Sequence, residues 1–323
     1  IKEFLPEERI ILQRREGYWR MGLDGRPLPY MDEIVFLNVG QSTRTVDTAP
    51  AVAGLGSGEL DIISINAATL DALQGVPGIV VKSQVSSWTP VIRMRADRPP
   101  FNDVRVCNAV KACQDRSEML EVLYRGYGAL GEDHHVAPIH PEYCPMDIPE
   151  RDIEKAKALL AEAGYENGIE LKLSVISGEP YITVGELLKG HCAPAGINII
   201  LEPMPSSMYW DQWTEVDFGV TDWAHRPLGI QVLGEAYRTG VGWNETHWSN
   251  EHFDQLLDEA EGTFDVEKRR EIMCELQTIQ KEEGTIGIPF WASTLNAHTE
   301  RVKNFRAAPG APQLYDVWLD EEA

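Results

Sequence analysis

The apolar positions of the chain follow two rhythms. Through the first hundred residues they come as short β-rich runs bounded by glycine and proline. Arg9-Ile-Ile-Leu-Gln13 and Glu33-Ile-Val-Phe-Leu-Asn-Val39 predict strands, with a turn-rich loop from Gly22 to Pro29 between them. Gly58-Glu-Leu-Asp-Ile-Ile63 predicts a turn glycine leading into a strand. Val76 to Val85 and Trp88 to Arg95 predict two more, the second closed by Arg98-Pro-Pro100. From Asp103 the spacing becomes helical. The Asp103 carboxylate can accept from the free N–H groups of a first turn, and a helix from there to about Tyr124 buries Val106, Val110, Cys113, Leu120 and Leu123. A loop rich in Gly, His and Pro follows, from Gly126 to Pro149.

Ile153 to Ala163 predicts a second helix, with Ile153, Ala156, Leu159, Leu160 and Ala163 on one face and Gly164 free to take the left-handed C′ conformation. Ile169 to Ile176 and Ile197 to Pro203 predict strands flanking a helix around Val184 to Cys192. That order suggests a parallel crossover. Phe253, Leu256, Leu257 and Ala260 form one helical stripe. Asp265 caps the next helix, whose stripe is Ile272, Leu276 and Ile279 and whose stop is Gly284. A strand from Ile286 to Ala292 follows. Nothing repeats at solenoid spacing. Mixed strands and helices over 323 residues imply an α/β chain of two domains.

Charge narrows the partners. Lys and Arg number 29 against 51 Asp and Glu, a formal charge of −22. Such a chain repels phosphate backbones and anionic membrane surfaces, so nucleic acid is not an expected partner. The N-terminal stretch has interleaved charges and no apolar h-region, so it does not read as a signal peptide. The expectation is a cytosolic chain, a mature secreted chain or a piece of a longer one. The five cysteines form no C-x-x-C; buried free thiols are expected, and a disulfide through Cys144 in its Pro-rich loop is the rival arrangement.

Candidate chemistry is sparse. Gly54-Leu-Gly-Ser-Gly58 fails the spacing of both G-x-G-x-x-G and G-x-S-x-G, and reads as a turn before a strand. His134, His135 and His140 lack further ligands of metal-site type, so a packing or ligand-touching loop is expected and no metal or cofactor. Glu121, Glu259 and Glu261 read as solvated faces. Tryptophan is the informative excess. Of nine, five lie between 210 and 248: Trp210, Trp213, Trp223, Trp243 and Trp248. They are interleaved with Tyr209, Tyr237, Arg226, Arg238, Asn244 and His247. Amphipathic rings mixed with Arg and Asn suit a wet concave site for a polar ligand with apolar faces.

Several segments, in order, match a known family. They are Tyr18-Trp19 with Leu28-Pro-Tyr-Met-Asp-Glu-Ile-Val-Phe36, Gly58-Glu-Leu-Asp-Ile62, and Pro99-Pro-Phe-Asn-Asp-Val-Arg-Val106 with Asp115-Arg116. Further along come Glu154-Lys-Ala-Lys-Ala-Leu-Leu-Ala-Glu-Ala-Gly-Tyr165 and Ser249-Asn250 with Phe253-Asp254 and Leu256-Leu257. The chain resembles the family 5 extracytoplasmic solute-binding proteins of ABC transporters, the oligopeptide, dipeptide and nickel class. It is similar to the C-terminal portion of one. The resemblance implies a class II, periplasmic-binding-protein-like fold: two lobes of mixed sheets flanked by helices, joined by two crossover strands. Residues 1–90 with 293–323 would form lobe I, incomplete here, and 91–292 lobe II. The crossings would lie near Ser87–Ala96 and Ile288–Thr294.

The same resemblance implies a non-catalytic receptor, periplasmic or extracellular and membrane-tethered. It would capture a small polar ligand, peptide-like, opine-like or an oligosaccharide, by lobe closure and deliver it to the membrane permease. Its partners would be that ligand, the ABC permease subunits and the absent N-terminal portion. Expected ligand contacts are Trp223, Arg226, Trp243, Asn244, His134 and Trp88. One departure concerns charge. Peptide-binding members place an aspartate shortly after the cleft tryptophan to hold an α-ammonium. Here Arg226 follows Trp223, which favours a carboxylate, phosphate or hydroxyl cluster, unless Arg226 only braces its loop through Asp222 or another acid. The alternative function is a secreted hydrolase using His134 or His135 with a carboxylate.

Overall fold

The computed structural model describes residues 1–38 and 49–320; the last residue of the predicted strand Glu33–Val39 lies outside them. The chain divides into two compact units. One comprises residues 1–84 and 294–323, the other residues 85–293.

The first unit opens with three antiparallel strands: β1 (Glu3–Leu5), β2 (Arg9–Gln13) and β3 (Glu33–Leu37). Helix α1 (Ala49–Ser57) follows. It takes in most of the Gly54–Gly58 run that sequence alone assigned to a turn. Gly54 is admitted because the Leu60 side chain lies where a Cβ would sit, 2.8 Å away. Next come β4 (Ile62–Ile65), α2 (Ala67–Leu73) and β5 (Ile79–Val85). Asn66 and Thr69 cap α2 reciprocally, which satisfies two otherwise orphaned N–H groups.

The second unit begins with β6 (Thr89–Met94), buried along its whole length. The helix expected from 103 to 124 is two helices, α3 (Val104–Cys113) and α4 (Arg116–Tyr124). Asp103 caps the first as expected. Asp115 caps the second by accepting from the Glu118 N–H at 2.9 Å, which restarts the helix on a new axis. After β7 (Gly128–Leu130) come α5 (Ile153–Glu162), β8 (Ile169–Ile176), α6 (Tyr181–Cys192) and β9 (Ile197–Met204). β8 and β9 pair in parallel over eight residues, so the strand–helix–strand segment is the crossover that its order implied. The chain continues through α7 (Ser206–Asp211), β10 (Phe218–Trp223), α8 (Gly229–Ala236), α9 (Glu251–Gly262), α10 (Val266–Glu283) and β11 (Ile286–Gly287). β12 (Phe290–Thr299) then runs from the second unit into the first, where it pairs antiparallel with β4.

The sheet of the second unit has strand order β11-β6-β10-β8-β9. β10 is parallel to β8 and antiparallel to β6. One core packs on one face of this sheet, with Phe218, Val220, Leu173 and Val175 against α3 and α6. A second core, with Trp223, Trp291, Val232, Leu257 and Met273, gathers α8, α9 and α10.

Cys144 and Cys274 are joined by a disulfide, while Cys107, Cys113 and Cys192 are buried and free. The expectation of buried thiols is therefore corrected at two positions. The bridge ties the loop after β7 to α10, and Gln277 holds the same loop by accepting from the Cys144 N–H (3.0 Å) and donating to its carbonyl (2.7 Å).

Candidate functional site

The sheet of the second unit carries a polar and aromatic rim at one edge, where the parallel strands β8 and β10 end. That edge is where open α/β sheets present ligand-binding residues. Asp222 and Trp223 close β10. Tyr181 opens α6 just beyond β8. Trp88 immediately precedes β6, whose antiparallel course brings its start to the same edge. The Trp88 backbone is fixed there, because its carbonyl accepts from the Ala292 N–H at 2.9 Å and its N–H donates to the Ser86 hydroxyl at 3.1 Å.

Strand alternation divides these residues between two faces. Phe218 and Val220 point into the first core, and Asp222 continues that row. Asp222 is half-buried. Its Oδ2 accepts from Trp88 Nε1 at 3.3 Å, and its Oδ1 accepts from the Tyr181 hydroxyl. Tyr124 stands against Trp88 with ring centroids 5.9 Å apart. Burial, and then the Asp222 charge, push the Tyr124 hydroxyl well above its ordinary range.

Thr221 and Trp223 face the other way, and both bind Glu245. Its Oε1 accepts from Thr221 Oγ1 at 2.9 Å and from Trp223 Nε1 at 3.0 Å, and its Oε2 faces Arg93 Nε at 3.0 Å. Arg93 and Glu245 are enclosed. Burial raises the Glu245 carboxyl above the usual range, against the pull of Arg93, Trp223 and Thr221. Rings extend outward from this hub. Trp223 meets His135 (5.7 Å) on its inner side and Trp243 (5.9 Å) on its outer side, and Trp243 meets Trp213 (6.5 Å).

The loop after β10 carries Arg226. Its Nε donates to Glu235 Oε2 at 2.8 Å, and its guanidinium lies 5.8 Å from the Trp223 ring centroid. The Arg226 backbone is clamped. Its N–H donates to Ser87 Oγ at 2.9 Å, and its carbonyl lies 3.0 Å from His140 Nε2. Since the His140 Nδ1 accepts from the Ala137 N–H at 3.0 Å, the ring is neutral with its proton on Nε2, donated to Arg226. Burial pulls the His140 pKa down to about 4.

Comparison with known proteins fits this arrangement. Residues 1–240 match the model described as bacterial extracellular solute-binding proteins, family 5 middle. The chain belongs to that family. Heme-binding protein A of Haemophilus influenzae is 26% identical across 98% of this chain and 58% of its own length. Di/tripeptide-binding protein 1 of Pseudomonas aeruginosa is 24% identical across 97% of this chain and 59% of its own. The structure of HbpA2 from Haemophilus parasuis superposes with a TM-score of 0.80 at 22% identity, covering 99% of this chain and 63% of that one. The chain thus spans about three fifths of the length of the curated relatives it matches.

Within this family 5 chain the six residues singled out from sequence separate. Trp88 stands at the rim beside Asp222, and Trp243 is half exposed. Trp223 is 5% exposed and sits on the opposite face from Trp88, as a core ring more than a surface one. Two positions are corrected. His134 is fully enclosed between Glu132 (3.2 Å) and Gln277 (3.2 Å), not overhanging a surface. Asn244 is buried with its amide spent on the Trp248 and Arg238 carbonyls at 2.8 and 3.3 Å. Arg226 is braced by an acid, which is Glu235 and not Asp222. Sequence reasoning missed Asp222 and Tyr181 as rim residues. The two-residue alternation of the strand through Phe218 was the available signal for Asp222.

A hydrolase built on His134 or His135 has no support. His135 Nδ1 is 2.6 Å from the Tyr237 hydroxyl, and burial drives its pKa well down. Both rings are closed off from any substrate. Among the described residues no group of three or more His, Cys, Asp or Glu is placed to hold a metal ion. No helix among them is long and apolar enough to cross a membrane.

Proposed function

We propose that this protein is the ligand-capturing component of an ABC importer, which encloses a small polar ligand by lobe closure and delivers it to the membrane permease. The observation that carries this reading is the aromatic and carboxylate rim of the second unit in a chain of family 5 type. Half-exposed rings supply apolar contact and Asp222 supplies polar direction, the mixture that small-ligand sites use. Its place of work is the periplasm, or the outer surface through a tether. The remaining portion of a full-length family member completes lobe I as a partner.

The reading also makes the protein a receptor and not an enzyme. Ser87 Oγ lies 2.8 Å from His225 Nδ1, but that oxygen also takes the Arg226 N–H and contacts the Arg226 carbonyl at 3.0 Å. It is a loop brace, and a nucleophile needs a free approach. The test is tryptophan fluorescence during titration with small solutes, combined with mass spectrometry of the solute afterwards. A saturable change with solute recovered intact supports the reading. Conversion of the solute would overturn it.

A further inference from the structure

We propose that Asp222, walled by Trp88, Tyr124 and Tyr181, is the subsite for a cationic group on the ligand, an ammonium or a guanidinium. The inference rests on the receptor reading above and names the chemistry of its rim.

The charge of Asp222 is unbalanced. Its two hydrogen-bond donors, the Trp88 indole and the Tyr181 hydroxyl, are neutral. Among the described residues no Lys, Arg or His forms an ion pair with it. The cations nearest in sequence and sheet are committed elsewhere: Arg226 to Glu235, and Arg93 to Glu245. His225 is held by Ser87. Each carboxylate oxygen offers two lone-pair sites, so both Asp222 oxygens keep acceptor capacity after these bonds.

The surroundings add to this. Trp88 and Tyr124 are tilted by 50° at 5.9 Å, and Tyr124 continues to Phe290 at 5.5 Å, so the half-buried carboxylate stands beside a row of packed rings. Ring faces are electron-rich and attract cations, most strongly where water is displaced. An anion with spare acceptor sites beside such rings selects a positive group and disfavours a negative one. Asp222 lies one residue before Trp223, on the opposite face of the strand from the Arg226 loop.

The experiment uses isothermal titration calorimetry of the full chain against dipeptides, polyamines and amino sugars, each paired with its N-acetylated form. The expected result is at least one amino compound that binds about tenfold or more tightly than its acetylated partner. Asp222→Asn, which keeps an acceptor toward Trp88 and Tyr181, should bring the amino and acetylated forms to within about twofold of each other. The wild-type comparison needs no variant, so misfolding of D222N cannot mask the answer. Equal binding of amino and acetylated forms, or no binding by any amino compound, overturns the subsite. Persistent preference in folded D222N overturns it as well. Binding of only acidic or neutral solutes, with a fluorescence response, refutes the cation subsite yet leaves the receptor reading standing. Turnover of the solute instead sinks the receptor reading itself.

Discussion

Acidification should loosen the Arg226 loop through His140, and the structure sets the size of the effect. His140 is enclosed, with Nδ1 accepting a backbone N–H and Nε2 donating to the Arg226 carbonyl. A proton added at Nδ1 would break the first bond and bury a charge. Burial is the main cause of the fall from 6.5 to about 4; the Arg226 carbonyl opposes it, and His225 and His134 add to it. Because the folded pKa is depressed, the native state binds fewer protons than the unfolded chain. The stability is present above about pH 6.5 and is lost as pH falls toward 4. From pH 7.5 to pH 5 the linkage relation gives a loss of about 2 kcal/mol from this one ring.

Urea unfolding at the two pH values, for wild type and His140→Asn, isolates the term. The variant loses the hydrogen bonds of the ring at every pH, so it starts less stable at pH 7.5. It has no proton to gain, so the gap to wild type should narrow by about 2 kcal/mol at pH 5. His135 and His225 are present in both proteins, and their direct contributions cancel in the comparison. A gap that stays constant between the two pH values would refute the argument. It would show that the folded and unfolded states take up the same number of protons at this ring, as they do when the ring is solvated.

Glu245→Ala should cost about 3–5 kcal/mol in urea unfolding, because it leaves the Arg93 guanidinium enclosed without its anion; a loss under 1 kcal/mol would show that water reaches the pair. Replacing Cys144 and Cys274 by serine should lower stability by about 2–5 kcal/mol, given that the bridge closes a separation of 130 residues. The three buried thiols should resist alkylation of the native protein, and rapid labelling would contradict their burial. Trp243→Ala should change stability little, since the ring is half exposed, yet weaken binding of any solute found above by about 1–3 kcal/mol; unchanged affinity would remove Trp243 from the site.

The elements that sequence revealed best are those with local causes. Periodicity located α5, α9 and α10, with Asp265 marking the start of the last; in the structure Asp152, Asn250 and Asp265 all accept from the first turns of their helices. The break inside 103–124 was legible in principle. Asp115 is as good a cap as Asp103, but the apolar stripe runs on through it and hides the change of axis. The glycines at 54 and 56 concealed α1, because the close approach of Leu60 that explains one of them is a tertiary fact. The Cys144–Cys274 bridge had no local signature, and its partners become neighbours only when the loop after β7 lies along α10. The same holds for His134, whose enclosing Gln277 is 143 residues away in sequence.

Arg226 shows how a correct residue can carry an incomplete inference. Its position after the tryptophan argued for an anionic ligand, on the premise that its charge is available. Glu235, one helix later, supplies the counter-charge at 2.8 Å, and the Trp223 face takes up the other side of the guanidinium. A neutralised fork of this kind shapes a loop more than it selects a ligand. The charge left uncompensated at the rim is negative and belongs to Asp222, which sequence had offered only as a brace for Arg226. A strand turns adjacent side chains to opposite faces, so Asp222 and Trp223 have different partners within the fold. Trp223 is bound inward through Glu245, and Asp222 is left facing Trp88 and Tyr181. The sign of the ligand is therefore decided by which face of β10 a residue occupies, not by its distance along the chain from the tryptophan.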